Sequence, residues 1–193
     1  ILIRNSDSRI VAVQIRKDTI QEGDSRYIWF SSSFATYNPD EYNGGNGCGS
    51  PKDVCYPRML KKHTLCITEG RFKSEKLTES GNISISVQGV TSWHGIKETI
   101  KHMKGIHNVF IFFDADILGK HVLFMQSEKM IRKIQDEFPG LYIRYAFWSK
   151  KNGKGIDDCI IAGNISKVKY YEAKRAAEIC NDAYTPVSYT HLR

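Results

Sequence analysis

Five apolar residues in a row, Val109-Phe110-Ile111-Phe112-Phe113, stop on Asp114-Ala115-Asp116. A run this short is under the length of an ordinary helix, and its β-branched and aromatic content suits a strand buried on both faces, as central parallel strands are. Leu65-Cys66-Ile67-Thr68 ends in the same abrupt way on Glu69-Gly70. In open α/β sheets, ligands collect beyond the carboxyl ends of such strands. Glu69, Asp114 and Asp116 are therefore expected on one rim, as oxygen donors suited to a hard divalent cation.

From residue 65 onward the chain alternates between strand and helix signals. Apolar runs at 65–68, 83–87, 108–113 and 141–147 are separated by helical stretches. Val122, Met125, Met130, Ile131 and Ile134 mark the apolar face of a helix over 120–138, which Pro139-Gly140 ends. The pattern predicts an α/β fold with a mostly parallel four-stranded sheet flanked by helices. Ser84 and Ser86 alternate with Ile83, Ile85 and Val87, which predicts that this strand is an edge with one face exposed. A last helix over 167–182 carries Lys169, Lys174 and Arg175.

The first 33 residues follow a different period. Val11, Val13 and Ile15 alternate with Ala12, Gln14 and Arg16, and Arg26-Tyr27-Ile28-Trp29-Phe30 follows a polar turn at Gln21-Glu22-Gly23-Asp24. This predicts a small antiparallel, strand-rich subdomain built on a hairpin. Its aromatic residues Tyr27, Trp29 and Phe30 are read as packing onto a core in preference to stacking on single-stranded bases. Residues 37–57, rich in Asn, Gly, Pro and Asp, read as a long loop or linker. The expected organisation is a strand-rich subdomain over 1–60, an α/β domain over 61–165 and a basic helix over 166–186.

No apolar run approaches the ~20 residues that cross a bilayer, and the opening Ile1-Leu2-Ile3-Arg4 lacks a signal-peptide layout, so a cytoplasmic location and no membrane partner are expected. An excess of 28 basic over 21 acidic side chains, net +7, permits a polyanionic partner. The five cysteines are odd in number and contain no CxxC pair, which argues for reduced thiols; Cys48 and Cys55 are too loosely spaced for a zinc knuckle, and Cys66 reads as core. The first residue is not Met and lies in a strand-like run, so an upstream portion is expected. Val187-Ser188-Tyr189-Thr190-His191-Leu192-Arg193 reads as a translated sequencing adapter, which marks the chain as a metagenomic gene fragment.

A further acidic turn, Asp157-Asp158, follows the lysine-rich loop Lys150-Lys151-Asn152-Gly153-Lys154-Gly155. An isolated Asp-x-Asp most often caps a turn or helix. Three acidic turns at the ends of alternating strands favour a metal rim instead.

The order of these pieces resembles the Toprim domain shared by bacterial-type primases, topoisomerases and some nucleases, which carries a Glu-Gly turn after its first strand and an Asp-x-Asp after its third. Glu69-Gly70 and Asp114-Ala115-Asp116 match those motifs. The strands over 1–33 are similar to the stretch that precedes Toprim in bacterial primases. Thr68 to Lys73 and Gly153 to Asp158 resemble segments of Toprim-like replication proteins of phages, plasmids and other mobile elements. Two positions depart from cellular primases: Lys73 stands where they carry an acid, and Gly155 replaces the earlier acid of their last motif.

The resemblance implies nucleotidyl transfer, that is primer synthesis, dependent on Mg2+ or Mn2+, with single-stranded DNA and nucleoside triphosphates as partners and a fused or associated helicase. It implies Glu69, Asp114 and Asp116 as catalytic residues and Glu69, Asp114, Asp116, Asp157 and Asp158 as metal ligands. Arg16, Lys73 and Lys154 are candidates for phosphate or nucleic-acid contacts. A catalytically silent nucleic-acid-binding or helicase-tethering module and a Toprim nuclease are the alternatives.

Overall fold

A computed structural model describes residues 1–30, 36–38, 42–43, 49–61 and 63–184. The chain opens with a three-stranded antiparallel sheet of β1 (Leu2–Arg4), β2 (Ile10–Arg16) and β3 (Tyr27–Trp29), with β2 in the middle. The expected hairpin is β2–β3, with Gln14 opposite Trp29 and Arg16 opposite Tyr27. Gly23 turns the connection at φ 85°, a conformation open to glycine at little cost. The buried face of β2 carries Ala12 and Gln14, while Val11 and Ile15 are exposed. A two-stranded ribbon of β4 (Thr36–Asn38) and β5 (Tyr42–Asn43) follows. Within the loop expected over 37–57, residues 39–41 and 44–48, Cys48 included, lie outside the described residues, and Asp53–Cys55 form a strand in place of loop.

The larger sheet contains β6 (Asp53–Cys55), β7 (Thr64–Thr68), β8 (Ile83–Ser86), β9 (Asn108–Phe112), β10 (Tyr142–Phe147) and β11 (Lys169–Glu172), in the order β11-β10-β9-β7-β8-β6. The four strands expected from the sequence are its parallel centre. β6 and β11 add antiparallel edges. Among the described residues five α-helices connect or follow the strands: α1 (Arg71–Thr78), α2 (Ile96–Lys101), α3 (His121–Glu137), α4 (Ile156–Ile161) and α5 (Ala173–Tyr184).

The two-residue period of the strands sorts side chains between two cores. Leu65, Ile67, Val109, Ile111, Ile143 and Tyr145 face α2, α3 and α5 through Ile96, Ile100, Phe124, Ile131, Ile134 and Ala176. Cys66, Phe112, Ala146 and Trp148 pack with Leu77 of α1 and Ile156 and Cys159 of α4. The continuous apolar runs of β7 and β9 are explained by this double burial.

Three expectations require correction. β8 is not an edge with an exposed face: β6 pairs along its outer side, all four of its residues are buried, and the Ser84 hydroxyl pairs with that of Ser74 at 2.9 Å. Residues 169–172 form strand β11 in place of the first turn of the last helix, because Tyr170 packs on Phe110 and Tyr171 on Phe147, one on each side. The buried face of α3 begins with Phe124 and Ser127, whereas Val122 and Met125 are exposed at 72% and 38%. Ser127 is tolerated there because its hydroxyl meets the Phe124 carbonyl and the Tyr145 hydroxyl.

The two sheets are joined through Asp53, whose side chain is fully buried. It accepts hydrogen bonds from the Arg4 backbone N–H at 2.9 Å and from Arg71 Nη1 at 2.8 and 2.9 Å. Cys55, on the same strand, has its thiol pushed up to about 12 by burial, as befits an inert core thiol. Among the described residues no helix is long and apolar enough to cross a membrane.

Candidate functional site

β7 and β9 are parallel neighbours, so the turns after their carboxyl ends lie side by side. Glu69 and Gly70 lead from β7 into α1, whose first turn brings Lys73 back over Glu69 at i+4 spacing. Lys73 Nζ lies 2.6 Å from Glu69 Oε1 and also donates to Asp114 Oδ1. One ammonium therefore bridges the two carboxylates that head the strands. The three side chains are 16 to 22% exposed.

Burial disfavours the charged form of Glu69, and its hydrogen bond with Asp114 adds to that, so its carboxyl is raised above the usual range despite Lys73. Burial also opposes the charge on Lys73, but Glu69 and Asp114 outweigh it and raise its pKa.

These groups open on a cavity of about 570 Å³ between the two sheets. Its far wall includes Gln14, Tyr27 and Trp29, and its near wall Glu69, Phe72, Lys73, Asp114 and Asp157. Tyr27 and Trp29 thus face the carboxylates across a cavity, and Phe30 is 70% exposed; the expectation that this aromatic face packs onto a core is corrected. The reason is the register of the hairpin: positions 27 and 29 share a face, and the two sheets stand apart where that face points. Gln88 and Ser92 also line the cavity and were not among the residues singled out from sequence. Gln88 holds φ 57°, unusual for a residue with a side chain, and its Nε2 is buried with no hydrogen-bond partner. A lone glutamine after a strand gives no sequence signal for this conformation.

The remaining candidates fall in different places. Asp116 is paired with Lys120 at 2.8 Å, which together with Lys154 and Lys150 holds its carboxyl below the usual range against a small burial penalty; its Oδ1 is buried and unpartnered. Asp157 lines the cavity and also has a buried, unpartnered Oδ1. Asp158 turns to the Gly155 N–H at 3.1 Å, a cap on its own helix. Arg16 lies over the Phe72 ring at 5.8 Å, beside the cavity. The Lys154 carbonyl accepts from the Ala115 N–H at 2.9 Å and ties the β10–α4 loop to the β9 turn.

The carboxylates that line the cavity, Glu69, Asp114 and Asp157, suit Mg2+ or Mn2+ in kind. As arranged they do not fit such an ion, because Lys73 stands between Glu69 and Asp114. Among the described residues no group of three or more His, Cys, Asp or Glu is disposed to hold a metal.

The fold is a mostly parallel sheet with acidic side chains beyond its carboxyl ends, preceded by a small antiparallel sheet. It is similar to the crystal structure of the Aquifex aeolicus primase, zinc-binding and RNA polymerase domains, with a TM-score of 0.56 and 14% identity over 94% of this chain. This chain spans 39% of that one. The chain belongs to the family described as a domain of unknown function, DUF3854, whose model matches residues 57–166. No curated protein matches it.

Proposed function

We propose that the chain is the Toprim-type core of a mobile-element replication protein and that it acts in primer synthesis on single-stranded DNA. The observation that carries this reading is the cavity that sets Glu69, Lys73 and Asp114 opposite Tyr27 and Trp29 within a primase-like fold. Aromatic faces suit nucleobases irrespective of sequence. Lys73 suits the phosphates, and Arg16 beside Phe72 suits the template backbone.

In nucleotidyl transfer a 3′ oxygen attacks the α-phosphorus of the incoming nucleotide and pyrophosphate departs. Glu69, whose carboxyl burial raises above the usual range, suits the role of the group that takes the hydroxyl proton. Asp114 holds Lys73 from the other side and so orients the cation toward the triphosphate. Mg2+ or Mn2+ is the expected cofactor of this reaction class, where it offsets triphosphate charge.

The test is primer synthesis by the intact protein on single-stranded DNA with nucleoside triphosphates and divalent metal. Asp114→Ala is expected to lower incorporation by at least about a hundredfold. Unchanged incorporation would overturn the assignment. A second reading, a catalytically silent nucleic-acid-binding module, is favoured by Lys73 in the acidic cluster. Salt-dependent DNA binding without metal and without incorporation selects it; metal-dependent strand cleavage without nucleotides selects a nuclease.

A further inference from the structure

The two departures from the primase pattern, Lys73 and Gly155, meet in space. A Cβ at Gly155 would overlap Asp157 Oδ1 and approach Lys73 Cε to 2.9 Å. The lysine stem therefore passes over a glycine that has no side chain to obstruct it, and its ammonium ends between Glu69 and Asp114. An acid at position 155 would compete with those carboxylates for the ammonium and block the route of the stem. The lysine and the glycine are thus parts of one arrangement, which puts a covalently attached cation where a divalent ion would otherwise bridge the carboxylates.

We propose that Lys73 is a tethered counter-ion that closes the Glu69–Asp114 pair to free divalent cations and yields it to a ligand bearing its own phosphates. The inference rests on the nucleotide-handling reading for the identity of that ligand, a nucleoside triphosphate. Its physical basis is charge. The pair is already neutralised by an ammonium within hydrogen-bond distance of both members, so an entering Mg2+ or Mn2+ meets a positive charge and must displace it. A triphosphate offers Lys73 alternative acceptors, and departure of the ammonium frees both carboxylates together. Gly155 leaves the stem free to make that movement.

The experiment is Mn2+ binding to the intact chain by calorimetry and electron paramagnetic resonance, with and without a non-hydrolysable nucleoside triphosphate. Without nucleotide, Lys73→Met is expected to bind Mn2+ at least about tenfold more tightly than the parent chain, since removing one nearby positive charge is worth at least that factor. Adding the triphosphate narrows the gap, and adding Asp114→Asn to Lys73→Met removes the gain. Lys73→Gln, which drops the charge but keeps a hydrogen-bond donor, is expected to behave as Lys73→Met does and stands in for it if that variant does not fold. Equal nucleotide-free affinity in the parent and in both Lys73 variants overturns the proposal, as does a gain that survives Asp114→Asn. Primer synthesis is measured separately, so its absence would remove the proposed reaction while leaving the Mn2+ comparison intact.

Discussion

Two cations two residues apart on α1 meet carboxylates in opposite ways. Arg71 reaches Asp53 through Nη1 and Glu75 through Nε, and Asp53 also accepts the Arg4 N–H. The planar guanidinium fixes that geometry, and the junction it makes joins two sheets. Lys73 is a point charge on a flexible stem, shared by two carboxylates at the edge of a cavity. The same helix thus carries one ion pair that holds the fold together and one that is free to exchange partners. Proximity in sequence does not distinguish them; what each carboxylate is otherwise bonded to, and whether a cavity lies beside it, does.

The largest effect should come from breaking the fixed pair. Asp53→Ala leaves Arg71 without its buried partner and the Arg4 N–H without an acceptor, and is expected to destabilise the chain by about 3 kcal/mol or more. Urea unfolding measures it, and a loss near zero would erase the contrast between the two cations. Lys73→Met is expected to cost about 1 kcal/mol, because Glu69 and Asp114 face an open cavity where water can take the place of the ammonium. A loss as large as that of Asp53→Ala would make Lys73 a structural residue too.

The smallest effect concerns a third cation, Lys52, next to Asp53 in sequence. It is 6% exposed, its Nζ donates to the Ser50 carbonyl at 2.5 Å, and burial lowers its pKa to about 8. The folded value lies below the ordinary lysine value of 10.5, so the charged form costs stability below about pH 8, and that cost is relieved as pH rises from 8 towards 10.5. Lys52→Met is expected to stabilise the chain at pH 7 by on the order of 1 kcal/mol, with the benefit shrinking above pH 8. Thermal unfolding at pH 7 and at pH 9.5 reads both, and a benefit independent of pH would assign the effect to packing.

Much of the fold is local and was legible. The apolar runs of β7, β9 and β10 declare double burial, the hairpin declares its period, and acidic turns at strand ends declare a rim. Edges and faces were not legible. The serines of β8 suggested water until β6, from a distant segment, covered them, and β11 was hidden in a lysine-rich stretch whose tyrosines needed Phe110 and Phe147 to explain them. Val122 and Met125 fitted a helical period that Ser127, satisfied by Tyr145, overrode.

The site divides along the same line. Sequence by itself determined that carboxylates would gather at the ends of parallel strands, because strand length and chain direction put them there. It also marked Lys73 and Gly155 as unusual. Only the tertiary structure decided that those two meet and that Tyr27 and Trp29 face the acids across a cavity. The physical reason is distance: local propensity and periodicity act over a few residues, whereas which cation neutralises which carboxylate depends on side chains brought within about 3 Å from segments far apart in the chain.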